Sequence, residues 1–372
     1  MTARIMPAVR LSRLRSAALF AGPALLLASL AHGAAAEDFY KGKQINVIVG
    51  SAAGGGYDAY SRLVARHLGD HIAGDPNIIV QNMDGASGVR AANYVYNVAP
   101  RDGTVIATVQ RATLIEPVFG NDKIKIDARK LSWLGSLTTE WSAAIVGGNS
   151  GLTSLEDAQK REFSVSASGA TSDAYIYSNV LNNLIGTKFK IVNGYQGSQE
   201  QTLAMQRGEI AGRIGWAWGA VKSTASDQLA RDDIKPIAWL ATEKKYGLDL
   251  PLARDYAQTE EARQILDFVF SPQEIGRPYF GPPEVPAAQL ALLRQGFVDM
   301  AADPAFLAEA DKLKLDIDFV DAQGIASLID RLYATPPDII AKSLAARDSK
   351  EAASKASSGK SPAAGQSAAL NK

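Results

Sequence analysis

The sequence predicts an α/β protein of two domains, and three observations carry that expectation. Short apolar runs alternate with stretches of helical period, and loops of small residues stand between them. Strands separated by helices imply mostly parallel sheets, because parallel neighbours need crossover connections. Once both ends of the chain are set aside, residues 37–345 remain, a length that favours two domains over one.

The first 36 residues read as a signal peptide. Arg4, Arg10, Arg13 and Arg15 form a positive start, Ala17 to Leu30 an apolar segment, and Ala34-Ala35-Ala36 an A-x-A site with cleavage before Glu37. The apolar segment is shorter than the ~20 residues a bilayer span needs, and Pro23 interrupts it. With no Arg-Arg pair, the general export route is expected, and with it a periplasmic location. Residues 346–372, rich in Ala, Ser, Lys and Gly, are expected to be a disordered tail.

Taken in order, Gln44 to Val49 reads as a strand, Ser51 to Gly56 as a glycine loop, and the stretch from Tyr57 or Asp58 to about His71 as a helix. Asn77 to Gln81 is a second strand, followed by the small-residue loop Asn82 to Gly88 and a helix through Tyr94. Thr104 to Val109 is a third strand. The same unit recurs in kind as strand Phe163 to Ala167, loop Ser168 to Ser172 and helix Asp173 to Leu184. A further unit runs from strand Lys188 to Val192, through Asn193 to Ser198, into helix Gln199 to Arg207. Ile210 to Ile214 and Ile234 to Leu240 are strands; Pro286 to Met300, Pro304 to Leu313 and Ala322 to Tyr333 are helices, with Asp303 and Asp321 as caps. The span Glu243 to Gly281, interrupted by Pro251, Pro272 and Pro278, yields no clear element.

Composition removes several function classes. The chain has no cysteine, so disulfides, thiolate catalysis and Cys-type zinc sites are out. Without the leader and tail the body is acidic, so no nucleic acid partner is expected and any anion must be held by local donors. His67 and His71 have the spacing of two metal ligands, but no third ligand stands near them in sequence and they flank the apolar stripe of Tyr60, Leu63 and Val64; no metal and no cofactor is expected. Gly54-Gly55-Gly56-Tyr57-Asp58-Ala59 fits the weaker dinucleotide fingerprint, yet the second strand ends in Gln81-Asn82 with no acid for a ribose. No Gly-Lys-Ser/Thr follows the glycines, and no G-x-S-x-G elbow occurs.

What remains is the glycine loop, where free helix N–H groups and close backbone approach suit an anion as readily as a bare tight turn. Asp58 fits an N-cap better than a ligand contact. Arg111 follows the third strand, where open sheets bind ligands, although a solvated arginine is the alternative. Trp141, Trp216 and Trp218 suit a core, and Trp216 could also line a pocket.

These residues resemble the periplasmic solute-binding proteins of tripartite tricarboxylate transporters, the Bug receptors. The leader, the strand and loop Ile45 to Asp58, the Asn82 to Gly88 loop, Tyr195-Gln196-Gly197 and the late stretch Asp303 to Phe319 carry the match, over nearly the whole mature body. Asp84 departs from the family's usual Pro, and the His common near Asp173 and Tyr175 is missing. The resemblance implies a type II-like periplasmic binding protein: two lobes, each a mostly parallel sheet flanked by helices, with a cleft between. It places lobe one at 37–138 plus 242–345 and lobe two at 139–241, with crossings near Leu137 to Ser142 and Leu240 to Lys244. It implies a non-enzymatic, monomeric receptor that takes a small organic carboxylate and hands it to membrane permease subunits. The expected site is Ala52, Gly54, Gly55, Gly56, Tyr57 and Asp58, Arg111, Gly169, Ala170, Thr171 and Ser172, Tyr195, Gln196 and Gly197, and Trp216. A secreted hydrolase in the same cleft, or a sensor-kinase input, is the rival expectation.

Overall fold

A computed structural model describes residues 39–348 apart from 122, 170, 171, 196, 197, 245 and 246. The expected leader, the tail beyond residue 348, and Ala170, Thr171, Gln196 and Gly197 of the expected site lie outside the described residues.

The chain opens as expected with β1 (Gln44–Val49), α1 (Gly56–His67), β2 (Asn77–Asn82), α2 (Val89–Asn97) and β3 (Val105–Thr108). β1 is a central strand buried on both faces: Ile45, Val47 and Val49 enter one core and Ile48 the other, the two-residue period of a strand. A short helix α3 (Arg111–Ile115) follows, then β4 (Ser132–Ser136), which the sequence reading missed. β5 (Ser142–Gly147), also missed, begins the second sheet, which continues with α4 (Leu155–Lys160), β6 (Phe163–Ala167), α5 (Asp173–Leu184), β7 (Phe189–Asn193) and α6 (Ser198–Gln206). It closes with β8 (Gly212–Ala217), α7 (Trp218–Thr224), α8 (Ser226–Ala230) and β9 (Ile234–Leu240). The remaining elements are α9 (Glu260–Phe270), β10 (Pro278–Gly281), α10 (Ala287–Ala302), α11 (Pro304–Lys312), β11 (Val320–Asp321), α12 (Ala322–Tyr333) and α13 (Pro337–Arg347). Asp303 and Asp321 cap α11 and α12 through Ala305 N–H and Gly324 N–H.

The protein is a two-lobed α/β molecule with two sheets, ordered β11-β4-β10-β3-β1-β2 and β7-β6-β8-β5-β9. Both sheets are mixed, which corrects the expectation of mostly parallel ones. The βαβ units pair in parallel, β1 with β2 and β3, and β6 with β7 and β8. The strands next to the lobe crossings, β4, β5, β9 and β10, pair antiparallel because the chain returns along the path by which it left.

The crossings also differ from expectation. The chain first passes from one sheet to the other at 137–141, between β4 and β5, and after β9 it stays with the second lobe. Ala253, Ile265, Leu266 and Phe270 bury in the same core as Val165, Leu181 and Ile214, so 253–270 packs on lobe two and not on lobe one as the sequence assignment has it. The return comes at 271–277, hydrogen-bonded alongside the outgoing segment: Leu137 N–H to Arg277 O (3.1 Å), Gly276 N–H to Thr138 O (2.7 Å) and Glu140 N–H to Gln273 O (2.9 Å). A third crossing joins α12, in the lobe-one core, to α13, whose Ile339 and Ala346 enter the lobe-two core. Apolar burial, worth about 1.5–3 kcal/mol for each large side chain, outweighs sequence proximity in deciding which lobe takes a segment.

Candidate functional site

The C-terminal ends of β1, β2 and β3 bring three loops together. A Cβ on Gly50 would lie 2.7 Å from Val109 Cγ1 and 3.0 Å from Gly88 Cα, so only glycine permits this approach. Asn82 ties the loops, donating to Ser51 O (3.0 Å) and to Asp58 Oδ1 (2.9 Å). Asp58 is not the helix cap expected from sequence: Gly55 is the N-cap, without a side-chain cap bond, and Asp58 sits in the first turn, 2% exposed. Its carboxylate accepts from Gly54 N–H and from Arg62 Nε, each at 2.8 Å, as well as from Asn82. Burial alone would push this carboxyl up, but the donors from Arg62, Gly54 and Asn82 together hold it below its ordinary value. Asp58 therefore shapes the glycine loop, and the exposed stretch Ala52 to Gly56 faces solvent at the head of α1.

Tyr57 and Arg111, both expected from sequence, meet. The Tyr57 hydroxyl donates to Gly276 O and accepts from Arg111 N–H, each at 3.2 Å. Burial chiefly raises its pKa, so the phenol stays protonated as a donor. Its ring lies 4.4 Å beneath the Arg277 guanidinium, and a Cβ on Gly56 would stand 3.2 Å from an Arg277 amino nitrogen. Arg277 thus lies against the N-terminus of α1, where helix N–H groups and dipole already favour negative charge.

Three residues that the sequence reading did not place in the site, Glu140, Asp173 and Arg277, complete the cluster. Glu140, in the first crossing, bridges the two arginines: one carboxylate oxygen meets Arg277 Nη1 at 2.5 Å and the other meets Arg111 Nη1. Arg111 also reaches across the cleft to Asp173 Oδ2 at the start of α5 (3.3 Å). The arginine side chains are 15% and 16% exposed, Glu140 22% and Asp173 49%. Burial is the largest influence on Arg111 and Arg277 and opposes their charge, but Glu140 together with the surrounding groups, Asp173, Tyr177 and Tyr57 for Arg111 and Tyr57 and Tyr60 for Arg277, outweighs it, and both pKa values rise above the ordinary one. A cavity of about 80 Å³ adjoins Arg111 and Asp173, walled by Ile115, Phe119, Ile176, Phe268 and others. A larger hollow, about 520 Å³, lies by the hinge near Arg254 and Arg331. Each of those arginines is paired with its own acid, Asp267 (2.8 Å) or Glu274 (2.6 Å), and the glycine loop takes no part in its wall.

On the second lobe, Ser172 caps α5, accepting from Tyr175 N–H (3.3 Å) and donating to Gly169 O (2.7 Å). Tyr195 N–H reaches Ala167 O (3.4 Å), and its ring packs against the tryptophan-rich core. Trp216 is 1% exposed in that core with Trp141, Trp218 and Trp239, so it does not line the cleft. It stacks instead under Arg213, 5.0 Å from ring to guanidinium. Burial pulls the Arg213 pKa down to about 10 against the pull of Asp173. Gly215, at φ +89°, forms the bulge that puts residues 213 and 216 on one face. His67 and His71 bind Glu309 (2.7 Å) and Asp303 (3.1 Å), and no group able to hold a metal occurs among the described residues.

No protein-family model matches the chain, and no curated protein matches it in sequence. Solved structures do. A TctC solute binding protein from Polaromonas, without ligand, is 20% identical with a TM-score of 0.66, over 82% of this chain and 99% of that one. The fold is that of the periplasmic solute-binding proteins. Rpa4515 of Rhodopseudomonas palustris, solved with adipate, is 17% identical (TM-score 0.55, 82% of this chain, 97% of that one). MatC of the same organism, with bound malate, is 18% identical (TM-score 0.51, 82% and 99%). The resemblance read from the sequence is thus matched in three dimensions by TctC-type structures across both lobes.

Proposed function

We propose that this protein is an extracytoplasmic solute-binding protein that captures an organic carboxylate between its lobes and delivers it to the permease of a tripartite tricarboxylate-type transporter. The observation that carries the reading is the convergence of Arg111 and Arg277 with the uncapped N-terminus of α1 at the mouth between the lobes. An acidic body can attract an anion only through such a local concentration of donors. The adipate and malate held by structures of the same fold support the ligand class.

On this reading the site comprises the backbone of Ala52, Gly54, Gly55 and Gly56, with Tyr57, Arg111, Gly169, Ser172 and Tyr195. Ala170, Thr171, Gln196 and Gly197 belong to it from the sequence alone. Asp58 acts by shaping the loop and Trp216 by backing Arg213. On this reading the chain leaves lobe one near 139 and returns at 271–277, with 253–270 and α13 carried by lobe two. The protein works in the periplasm, as a monomer and without catalysis; no helix among the described residues is long and apolar enough to cross a membrane.

Thermal-shift assays on the mature protein test this. A carboxylate at 100-fold excess over its Kd adds about 2.7 kcal/mol of stability, readily measured. Stabilisation by mono-, di- or tricarboxylates and not by neutral sugars is expected. A sugar or cation raising the melting temperature while every carboxylate fails would overturn the ligand class, and turnover of an ester or amide would overturn the non-enzymatic reading.

A further inference from the structure

We propose that the hollow between α3, α5 and the end of α9 is an apolar subsite of the cleft, so that the carboxylate taken up carries a hydrocarbon body of several carbons. The inference rests on the carboxylate-binding reading and narrows it.

The hollow begins at the arginine corner. Arg111 opens α3 and Asp173 opens α5, and the two side chains meet at 3.3 Å. The Tyr177 hydroxyl, also on the wall, bonds to Arg111 at this charged end. One turn further along, each helix turns apolar. Ile115 follows Arg111 by four residues and Ile176 follows Asp173 by three, spacings that keep each pair on one helix face. The space between the helices therefore grades from charge to hydrocarbon.

Its walls come from both lobes. Ile115, Phe119 and Phe268 belong to the lobe-one core, Ile176 and Val269 to the lobe-two core, and all five border the same hollow of about 80 Å³. Phe119 and Phe268 meet edge to face, 5.2 Å between ring centres, which fixes that wall. The remaining charged residues there have contacts of their own: Glu116 accepts from Asn121 Nδ2 (3.3 Å), and Arg347 lies over the Phe119 ring (5.0 Å). Water against such walls finds few hydrogen-bond partners, and a ligand chain that displaces it gains about fourfold in affinity for each methylene buried. A hydroxylated body would forfeit hydrogen bonds in the same place. Because Arg111 lines both the carboxylate corner and the hollow, one acid with a charged end and an apolar body fills both. Its hydrocarbon then touches both cores at once and favours the closed form.

Calorimetry on the mature protein with acids that differ by two carbons of hydrocarbon, butyrate against hexanoate and succinate against ethylsuccinate, reads the proposal as a ratio of affinities within each pair. In a pair that binds, the larger acid is expected to be about tenfold tighter in the wild type. Ala112→Leu, at an exposed position on the wall where a larger side chain takes up space in the hollow, is expected to cut that advantage to about threefold or less. Ile176→Asn, which makes the opposite wall polar, is expected to act in the same direction. A merely structural role for these positions would weaken both acids alike and leave the ratio where it was, and either variant decides the matter if the other does not fold. A larger acid no tighter than the smaller, a ratio unmoved in the folded variants, or a receptor that takes other carboxylates and none of these four overturns the subsite while leaving a carboxylate receptor. Binding of no carboxylate at all overturns both.

Discussion

The glycine corner and the hinge corner of the cleft both concentrate polar groups at the mouth between the lobes, yet they are built in opposite ways. At the glycine corner the partners are near neighbours: Gly54, Asp58 and Arg62 lie within one loop and the first turns of α1, and Asn82 comes from the next strand. At the hinge corner Arg111, Glu140, Asp173 and Arg277 come from four distant segments and meet only when both lobes and both crossings are in place. The first corner is a property of a loop. The second is a property of the whole fold, so it can report on how the lobes are set.

The largest effect is expected where that long-range corner is broken. Glu140→Ala leaves two largely buried guanidiniums without their shared carboxylate, and removing one partner from such a set costs about 3 kcal/mol. Urea unfolding of the two proteins measures it. A loss no larger than that of a surface pair, below about 1 kcal/mol, would mean that water screens the cluster and that the two corners do not differ in kind.

A smaller loss is expected at the glycine corner. Asp58→Ala leaves Gly54 N–H without its acceptor and Asn82 with Ser51 O alone, about 2 kcal/mol for hydrogen bonds to a buried charge. Arg62 is half exposed and turns to water, so its bond adds little. The same variant should weaken ligand binding by loosening the loop, whereas His67→Ala, on the far end of α1, should leave binding unchanged. If Asp58→Ala lowers stability without touching affinity, the glycine loop is a structural turn and the ligand is held elsewhere.

The contrast also explains what the sequence made legible. β1, the glycine loop and α1 can be read because a two-residue apolar period, a run of glycines and a helical period follow one another, each a local consequence of backbone sterics. Asn82 is visible for the same reason, and its partner Asp58 lies within the same motif. Glu140 and Arg277 carry no such mark. Glu140 is one acid in a crossing, and Arg277 falls in a proline-interrupted stretch whose path depends on the hydrogen bonds of 271–277 to 137–140. β4, β5 and β10 escape reading because short strands buried on both faces show no polar alternation. Trp216 misleads for a related reason: the Gly215 bulge turns residues 213 and 216 to one face, which the simple two-residue period does not foresee.

The smallest predicted effect separates the corners by pH. Asp58 is held below its ordinary pKa by its donors, so its contribution to stability is fully present above the unfolded value near 3.8 and is lost as pH falls through the folded value. Asp267, on α9 at the hinge, behaves in the opposite sense. Its burial raises the carboxyl to about 6 despite the opposing pull of Arg254. Between about pH 4 and pH 6 the folded state then holds more of this proton than the unfolded chain does, so stability from Asp267 is present at the acid end and is lost as pH rises through the folded value. A third of the side chain is exposed, so the expected size after solvent screening is about 1 kcal/mol. Urea midpoints taken from pH 4 to pH 7 should therefore decline less with rising pH in Asp267→Asn than in the wild type, whereas Asp58→Asn should alter only the acid limb. Parallel profiles for Asp267→Asn and wild type would place Asp267 in water, and the hinge would then carry its strained charge in the Glu140 cluster alone.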